Sequence, residues 1–158
     1  MKKFPVSKVT KEDLPEILQL AREASELQVF PTLSKAGQKT LLASLEKDTL
    51  EIINPELYQA YKIRSGARLL GYAALRNHRY LAQLFVDSEY QRQGVGTALL
   101  DKMVTLVTEP ALKLRASINA VEFYKNYGFV AAGEEAEVNA IRFLPMTYHI
   151  SKTHSHPK

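Results

Sequence analysis

The sequence predicts a single-domain α/β protein of the α+β type, in which a mixed, mainly antiparallel sheet is flanked by helices. The chain has 158 residues, the size of one domain, and 46% of them are apolar, so it can bury a sizeable core. Period-two patterns follow one another in the middle of the chain, whereas helical and extended patterns alternate in its last third. We predict a domain over residues 1–150 and a polar tail over residues 151–158.

Two helices are predicted before the first main strand. The segment 9–27 has apolar residues at helical spacing, and Thr10 or Asp13 can cap its N-terminus. Pro15 fits a first helical turn, where its missing N–H has no partner to lose. Residues 31–53 are predicted to form the second helix.

Three strands are predicted next, over residues 57–63, 68–75 and 78–86. The connections between them are too short for a crossover, so the three strands should form an antiparallel meander.

The last third of the chain predicts two more helices and the remaining strands. The first helix should end at Glu109-Pro110, and Gly128 fits the C-cap of the second. The predicted helices are 94–108 and 120–127, and the predicted strands are 111–117, 129–133 and 139–150.

The composition excludes several classes of chemistry. There is no cysteine, which rules out disulfides, thiolate metal sites and a cysteine nucleophile. His149, His154 and His156 lack metal-ligand spacing with other donors, so no metal is expected. The N-terminus has no apolar segment of signal-peptide length, and no run reaches the roughly 18 apolar residues of a membrane span. We therefore expect a cytoplasmic protein with no membrane partner.

The charge distribution is lopsided in one region. The net charge is +4, and residues 57–86 contain no Asp or Glu. Either this stretch forms a solvated basic face, or it attracts an anionic ligand. The basic residues are not clustered with stacking aromatics, so a nucleic-acid partner is not expected. The basic residues of the stretch are Lys62, Arg64, Arg68, Arg76 and Arg79.

Two glycines stand where an apolar strand is followed by an apolar helix. Gly94 and Gly96 begin the helix, where unpaired backbone N–H groups and the helix dipole favour an anion such as phosphate. Glycine reaches unusual backbone angles and lets a ligand approach the main chain. The alternative is a plain loop in which the glycines only form the corner. A dinucleotide fingerprint is not matched, because Leu99 stands at the third glycine position.

These residues resemble a known family. Gln91-Arg92-Gln93-Gly94-Val95-Gly96 is similar to the acyl-CoA signature Q/R-x-x-G-x-G/A of the GNAT superfamily of N-acetyltransferases. A second segment resembles the family pattern N-x-x-A/V-x-x-F-Y-x-x-x-G-F. It is matched by Asn119, Phe123, Tyr124, Gly128 and Phe129.

The resemblance implies that acetyl-CoA is the co-substrate. The loop and helix start would hold the pyrophosphate, and the end of the preceding strand, which splays from its neighbour in this family, would pair with the pantetheine arm. Asn119 and Tyr124 would line the thioester end, and Lys125 is either a nucleotide-phosphate partner or a solvated lysine. The implied cofactor-binding residues are Leu84, Phe85, Val86, Gln91, Arg92, Gln93, Gly94, Val95, Gly96, Thr97, Asn119 and Tyr124.

The catalytic groups follow from the same resemblance. Tyr124 matches the family's tyrosine that serves as a proton donor to the leaving thiolate, and the alternative is an ordinary buried aromatic. The backbone N–H of Val86 is a candidate to stabilise the thioester oxygen. Gln83 occupies a suitable strand position for a base but cannot take a proton. The base stays open among His78, Tyr80, Glu51, the cluster of Glu134, Glu135 and Glu137, and water leading to solvent.

We therefore predict an acetyl-CoA-dependent N-acetyltransferase that moves acetyl directly to an amine, with a small molecule as the acceptor. The alternatives are a non-catalytic CoA-binding protein of the same fold and a basic nucleic-acid-binding module. Homodimers are common in the family, although no segment of this sequence specifies an interface.

Overall fold

A computed structural model describes residues 4–138 and 141–150 of the protein. These residues form eight strands and four α-helices. The strands are β1 (Val6–Lys8), β2 (Tyr58–Ser65), β3 (Arg68–Arg76), β4 (Tyr80–Val86), β5 (Ala111–Ser117), β6 (Val130–Ala131), β7 (Ala136–Val138) and β8 (Ile141–His149). The helices are α1 (Leu14–Ala24), α2 (Lys35–Glu51), α3 (Val95–Leu106) and α4 (Val121–Tyr127).

The strands form one sheet in the order β1-β2-β3-β4-β5-β8-β6, with β7 also paired to β8. Every pairing is antiparallel except that of β4 with β5, which is parallel. The predicted mixed, mainly antiparallel sheet is therefore confirmed. Within the described part of the chain, no helix is both long and apolar enough to cross a membrane.

The two N-terminal helices are shorter than predicted. The segment 9–27 begins with a 3₁₀ turn, Lys11–Asp13, continues as α1 and ends in a wider π-helical turn, Ser25–Val29. Asp13 accepts a hydrogen bond from the Thr10 N–H at 2.7 Å, so both predicted capping residues take part. The second helix begins only at Lys35, because the side chain of Ser34 caps it by accepting the Gly37 N–H.

The meander is confirmed, and its turns decide where the strands begin. The β2–β3 turn contains Gly66 with a φ of 59°, a left-handed conformation that glycine adopts without a steric penalty. The β3–β4 turn contains Asn77 and His78 at φ values of 54° and 59°. These two residues and Arg79 form the turn, so β4 begins at Tyr80 rather than at residue 78.

The sheet separates two apolar cores. On one face, α3 and α4 pack against the central strands with Leu99, Met103 and Tyr124. On the other face, α1 and α2 pack against them with Ile17 and Leu45. Side chains on the two faces of the sheet can therefore meet only where the sheet opens.

Such an opening lies between β4 and β5. These strands are paired only at Tyr80 and Lys113, where the Lys113 N–H donates to the Arg79 oxygen at 2.9 Å. The β3–β4 register shifts so that Ala82 is an extra residue in β4, a bulge that bends the strand. The predicted splayed central pair is thus confirmed, and the gap begins just after Tyr80.

The C-terminal strands complete the sheet. β5 pairs with β8 along its whole length, whereas β6 is shorter than the predicted strand 129–133. β7 was not predicted; it is a short exposed strand paired with β8. α4 ends at Gly128, whose φ of 127° confirms the predicted C-cap. The predicted strand start at residues 139–140 and the tail 151–158 lie outside the described residues.

Candidate active site

The start of α3 presents unused backbone donors. Gly94 precedes the helix in a left-handed conformation, with a φ of 94°, so the backbone itself requires glycine there. The first helical hydrogen bond runs from the Ala98 N–H to the Gly94 oxygen at 2.9 Å. The N–H groups of Val95, Gly96 and Thr97 therefore have no acceptor within the helix, at its positive end.

Gly96 has a packing role that the sequence did not reveal. A β-carbon at this position would lie 2.9 Å from the Phe123 ring and 3.7 Å from the side chain of Val86. The missing side chain thus lets α4 approach the start of α3 and keeps this surface close to β4. Phe123 is 37% exposed, so its ring can move aside when a small side chain is added.

The loop before α3 is exposed, and a hydrogen bond from one of its side chains to its backbone helps to hold its shape. Arg92 has a φ of 64°, and the Gln93 side chain donates to the Glu89 oxygen at 3.2 Å. Gln93 therefore stabilises the loop in this structure, while the side chains of Gln91 and Arg92 are exposed beside the helix start.

The end of β4 offers backbone groups to the gap at alternate residues. The Asp87 N–H donates to the Leu70 oxygen of β3 at 2.8 Å, and Val86 is the register partner of Gly71. In an antiparallel ladder, this pattern turns the N–H and C=O of Val86 and Leu84 away from β3, into the gap.

Phe85 differs from Leu84 and Val86 in the direction of its backbone groups. Its backbone faces β3, and its oxygen would lie 2.9 Å from a β-carbon added to Gly71. Of the three strand residues expected to bind the cofactor, only Leu84 and Val86 direct their backbone groups into the gap.

Tyr124 lies at the gap on the α3–α4 face. Its side chain is 8% exposed and packs edge-to-face against Phe123 and Phe129, with ring centroids 5.1 and 5.4 Å away. Burial raises the pKa of the Tyr124 phenol well above its ordinary value, and the neighbouring Tyr80 raises it further. Tyr124 is therefore a neutral hydrogen-bond donor at physiological pH. Asn119 is exposed, in the 3₁₀ turn Ile118–Ala120 that joins β5 to α4.

A cleft of about 320 Å³ opens on the opposite, α1–α2 face, at the start of the gap. We call it the β4–β5 cleft. Tyr80 lines it and also influences the ionisation of Tyr124, so this residue connects the two faces at the closed end of the gap. The cleft is lined by Asp48, Ile52, Tyr58, Arg76, Tyr80, Ala82, Gln83 and Arg115.

Asp48 is a residue of the β4–β5 cleft that the sequence did not indicate. It projects from α2 into the β4–β5 cleft, where burial and then the nearby Glu51 raise the pKa of its carboxyl. Nothing in the sequence of α2 indicates that Asp48 meets β4 and β5. Only the packing of α2 across the sheet places it there.

Most of the residues that the sequence suggested as a base lie outside the β4–β5 cleft. Gln83 lies on the cleft floor, but the Tyr72 hydroxyl donates to its oxygen at 2.7 Å and its amide donates to Thr49 at 3.0 Å. His78 lies in the β3–β4 turn with its Nδ1 3.4 Å from the Leu106 oxygen.

The acidic candidates are exposed. Glu51 lies on α2 outside the cleft lining, and Glu134, Glu135 and Glu137 lie in the β6–β7 region. Among the described candidates that can accept a proton, Tyr80 alone lines the cleft, and burial raises its pKa, which disfavours a role as base. Within residues 4–138 and 141–150, no group of three or more His, Cys, Asp or Glu residues is arranged to hold a metal ion.

The acid-free stretch does not form one basic face. Lys62 and Arg64 pair with Asp13 at 2.5 and 2.8 Å, and Arg68 pairs with Asp87 at 2.9 Å. Carboxylates outside the stretch thus compensate three of its five cations. Arg76 and Arg79 form no salt bridge with any residue that the structure describes.

Comparison with known sequences decides the family. A family model described as the acetyltransferase (GNAT) domain matches residues 29–150. The chain belongs to the GNAT acetyltransferase family. An uncharacterised N-acetyltransferase of Escherichia coli K12, YafP, is 41% identical over 63 residues, which are 40% of this chain and 40% of that protein. The chloroplastic GCN5-related N-acetyltransferase 2 of Arabidopsis thaliana is 38% identical over 98 residues, 58% of this chain and 36% of that protein. The match therefore spans less than half the length of these relatives.

Solved structures share the GNAT fold. A GCN5-related N-acetyltransferase from Rhodopseudomonas palustris has a TM-score of 0.79 at 22% identity, covering 94% of this chain and 97% of that one. The PaiA N-acetyltransferase of Thermoplasma acidophilum, solved in complex with coenzyme A, has a TM-score of 0.74 at 17% identity, covering 94% and 99%. At these identities the likeness establishes the fold alone.

Proposed function

We propose that the protein is an N-acetyltransferase that moves acetyl from acetyl-CoA directly to the amine of a small acceptor. The observation that carries the proposal is the convergence of three features at one gap in the sheet. They are the unused N–H groups of α3, the free backbone edge of β4 and the buried hydroxyl of Tyr124. The coenzyme A complex of the PaiA relative supports the same ligand in this fold.

The residues present fit the phosphate and pantetheine parts of coenzyme A. The N–H groups of Val95, Gly96 and Thr97 suit the pyrophosphate, and Gln91 and Arg92 add side-chain donors next to them. Gln93 and Gly94 hold the loop in shape.

The pantetheine arm carries amides that match the outward-facing backbone groups of Leu84 and Val86. Phe85 supports the strand from the other side, while Asn119 and Tyr124 lie at the turn and helix that follow β5. Bound acetyl-CoA supplies an activated acyl group at this end.

The transfer itself needs little side-chain chemistry. The acceptor ammonium loses one proton, and the resulting amine attacks the thioester carbon, so that an N–C bond forms and the C–S bond breaks. Coenzyme A leaves as a thiolate and becomes a thiol by taking up the second proton, which the nitrogen releases after the attack. The Val86 N–H, which faces the gap, stabilises the oxygen as negative charge develops. Tyr124 donates a hydrogen bond to the departing sulfur; its raised pKa makes this role more favourable than complete proton transfer.

The proton of the acceptor has two routes out of the site. An aliphatic ammonium has a pKa near 10.4, so a base or a water path must remove its proton at neutral pH. Asp48 is the carboxylate that lines the β4–β5 cleft, and the cleft is open to solvent. The sequence provides no cysteine to carry the acetyl group, which favours direct transfer.

Release of free thiol from acetyl-CoA tests the proposal. Purified protein is incubated with acetyl-CoA and a panel of primary amines, and the binding of acetyl-CoA is measured separately by calorimetry. Amine-dependent thiol release supports the enzyme. Tight acetyl-CoA binding without any turnover identifies a non-catalytic CoA-binding protein. Salt-dependent DNA or RNA binding with indifference to acetyl-CoA identifies a nucleic-acid-binding module.

A further inference from the structure

The β4–β5 cleft carries two cations that form no salt bridge within the described chain. Arg76 lies at the end of β3 and Arg115 on β5, and both line the cleft. Neither forms a salt bridge with a residue in 4–138 or 141–150, in contrast to Lys62, Arg64 and Arg68 of the same sheet.

Both guanidinium groups are held in place by aromatic rings. Arg76 lies over the Tyr80 ring at 5.1 Å, and Arg115 lies over the Phe143 ring at 4.7 Å. Stacking fixes the plane of a guanidinium while its N–H groups remain available along the edge, the arrangement that binds a planar or tetrahedral oxyanion through two hydrogen bonds. The two arginines are therefore positioned as oxyanion donors before any ligand arrives.

A single carboxylate lies beside these cations. Asp48 lines the same cleft without a salt bridge to either arginine, so the two arginines and this aspartate leave a formal excess of one positive charge. The floor is formed by the buried side chains of Ile52 and Tyr58 and by Gln83, which is held by hydrogen bonds at both ends of its amide.

We propose that the acceptor is a small amine that also carries an oxyanion group, a carboxylate or a phosphate, held by Arg76 and Arg115 while Asp48 binds the ammonium and takes its proton. This inference rests on the proposed function and names its substrate class. The cleft volume of about 320 Å³ suits a molecule of amino-acid size. A polyamine would bring further positive charge against both arginines, and a neutral amine would leave them without a partner.

Matched amine pairs test the charge preference. 4-Aminobutyrate is compared with its carboxamide, and O-phosphoethanolamine with ethanolamine, so that each pair differs in the anionic group; spermidine serves as a polycation. We expect kcat/KM for the better of the two anionic amines to exceed that of its neutral partner by at least about tenfold. The carboxylate and phosphate arms show which oxyanion the site prefers.

Two variants assign the preference to the arginines. Arg76→Gln and Arg115→Gln should each reduce the anionic-to-neutral ratio of kcat/KM by about tenfold or more, with acetyl-CoA affinity little changed. Arg79→Gln is the control, because Arg79 belongs to the same basic stretch but does not line the cleft. Its ratio should equal that of the wild type.

Failure of this inference is distinguishable from failure of the proposed function. Thiol release that ignores the anionic group, that favours spermidine, or that keeps its preference in both arginine variants overturns the substrate class while leaving the enzyme in place. An absence of thiol release with every amine overturns both.

Discussion

Replacing Tyr124 with phenylalanine isolates the role of one hydroxyl group. The ring stays in its packing between Phe123 and Phe129, so the buried apolar contacts that hold α4 are retained. Because burial raises the Tyr124 pKa, the wild-type phenol remains protonated throughout the neutral and mildly alkaline range. The variant therefore removes a neutral hydrogen-bond donor and no charge.

The expected loss of transition-state stabilisation follows from the position of the Tyr124 hydroxyl. A hydrogen bond to a charged group contributes about 1.5–3 kcal/mol, and the buried position of Tyr124 places it near the upper end of that range. Because the sulfur gains its charge only in the transition state, the loss should appear in kcat, by about 10²-fold. Acetyl-CoA affinity should change little, and the free energy of unfolding by less than about 1 kcal/mol.

The assay measures kcat, acetyl-CoA affinity and melting temperature on the same variant, with pre-steady-state thiol release to show that chemistry limits turnover. Because the phenol does not titrate near neutrality, the ratio of wild-type to variant kcat should stay constant between about pH 6 and pH 9. A near-normal kcat in a variant whose chemical step is rate-limiting would remove Tyr124 from the catalytic groups. Lost stability with normal turnover would identify it as a core tyrosine.

Three further predictions concern binding, the route of transfer and stability. Gly96→Glu should lower acetyl-CoA affinity at least about tenfold, because it places a carboxylate beside the N–H groups at the start of α3. Thr105→Glu is the control, since it adds the same charge at the far end of that helix and should leave the affinity unchanged. Calorimetry that finds equal acetyl-CoA affinities for the two variants would refute the phosphate site. Intact-mass measurement after mixing with acetyl-CoA alone should show no transient, amine-labile acetyl adduct, and a kinetically competent adduct would contradict direct transfer. Asp13→Asn should lower the free energy of unfolding by about 3 kcal/mol, near the low end for a broken buried ion pair, because Arg64 keeps Glu16 as a partner. Burial opposes ionisation of Asp13, but hydrogen bonds from Lys62 and Arg64 outweigh it and lower the pKa of its carboxyl. The stabilisation is therefore full above about pH 5 and is lost as pH falls through the folded-state pKa. Denaturant titrations that find the wild type no more stable than the variant at neutral pH would contradict this prediction.

The sequence by itself determined most of the elements and the location of the glycine turn before α3. The meander, the helix after Gly94 and the cap at Gly128 are encoded by neighbouring residues, since backbone angles, periodicity and capping depend on contacts a few positions apart. The position of Tyr124 at the thioester end, which the two-segment resemblance implies, stays a prediction. Where local patterns were weak, as at the three-residue strand β7, the same reasoning failed.

The tertiary structure alone decided what surrounds the β4–β5 cleft. Asp48 comes from α2, Arg76 from β3 and Arg115 from β5, and no spacing along the chain relates them. Likewise, only folding pairs Lys62 and Arg64 with Asp13 and leaves Arg76 without a salt bridge within the described chain. Charge in a sequence is a property of single residues, whereas the charge of a site depends on which side chains packing brings within a few ångströms of one another.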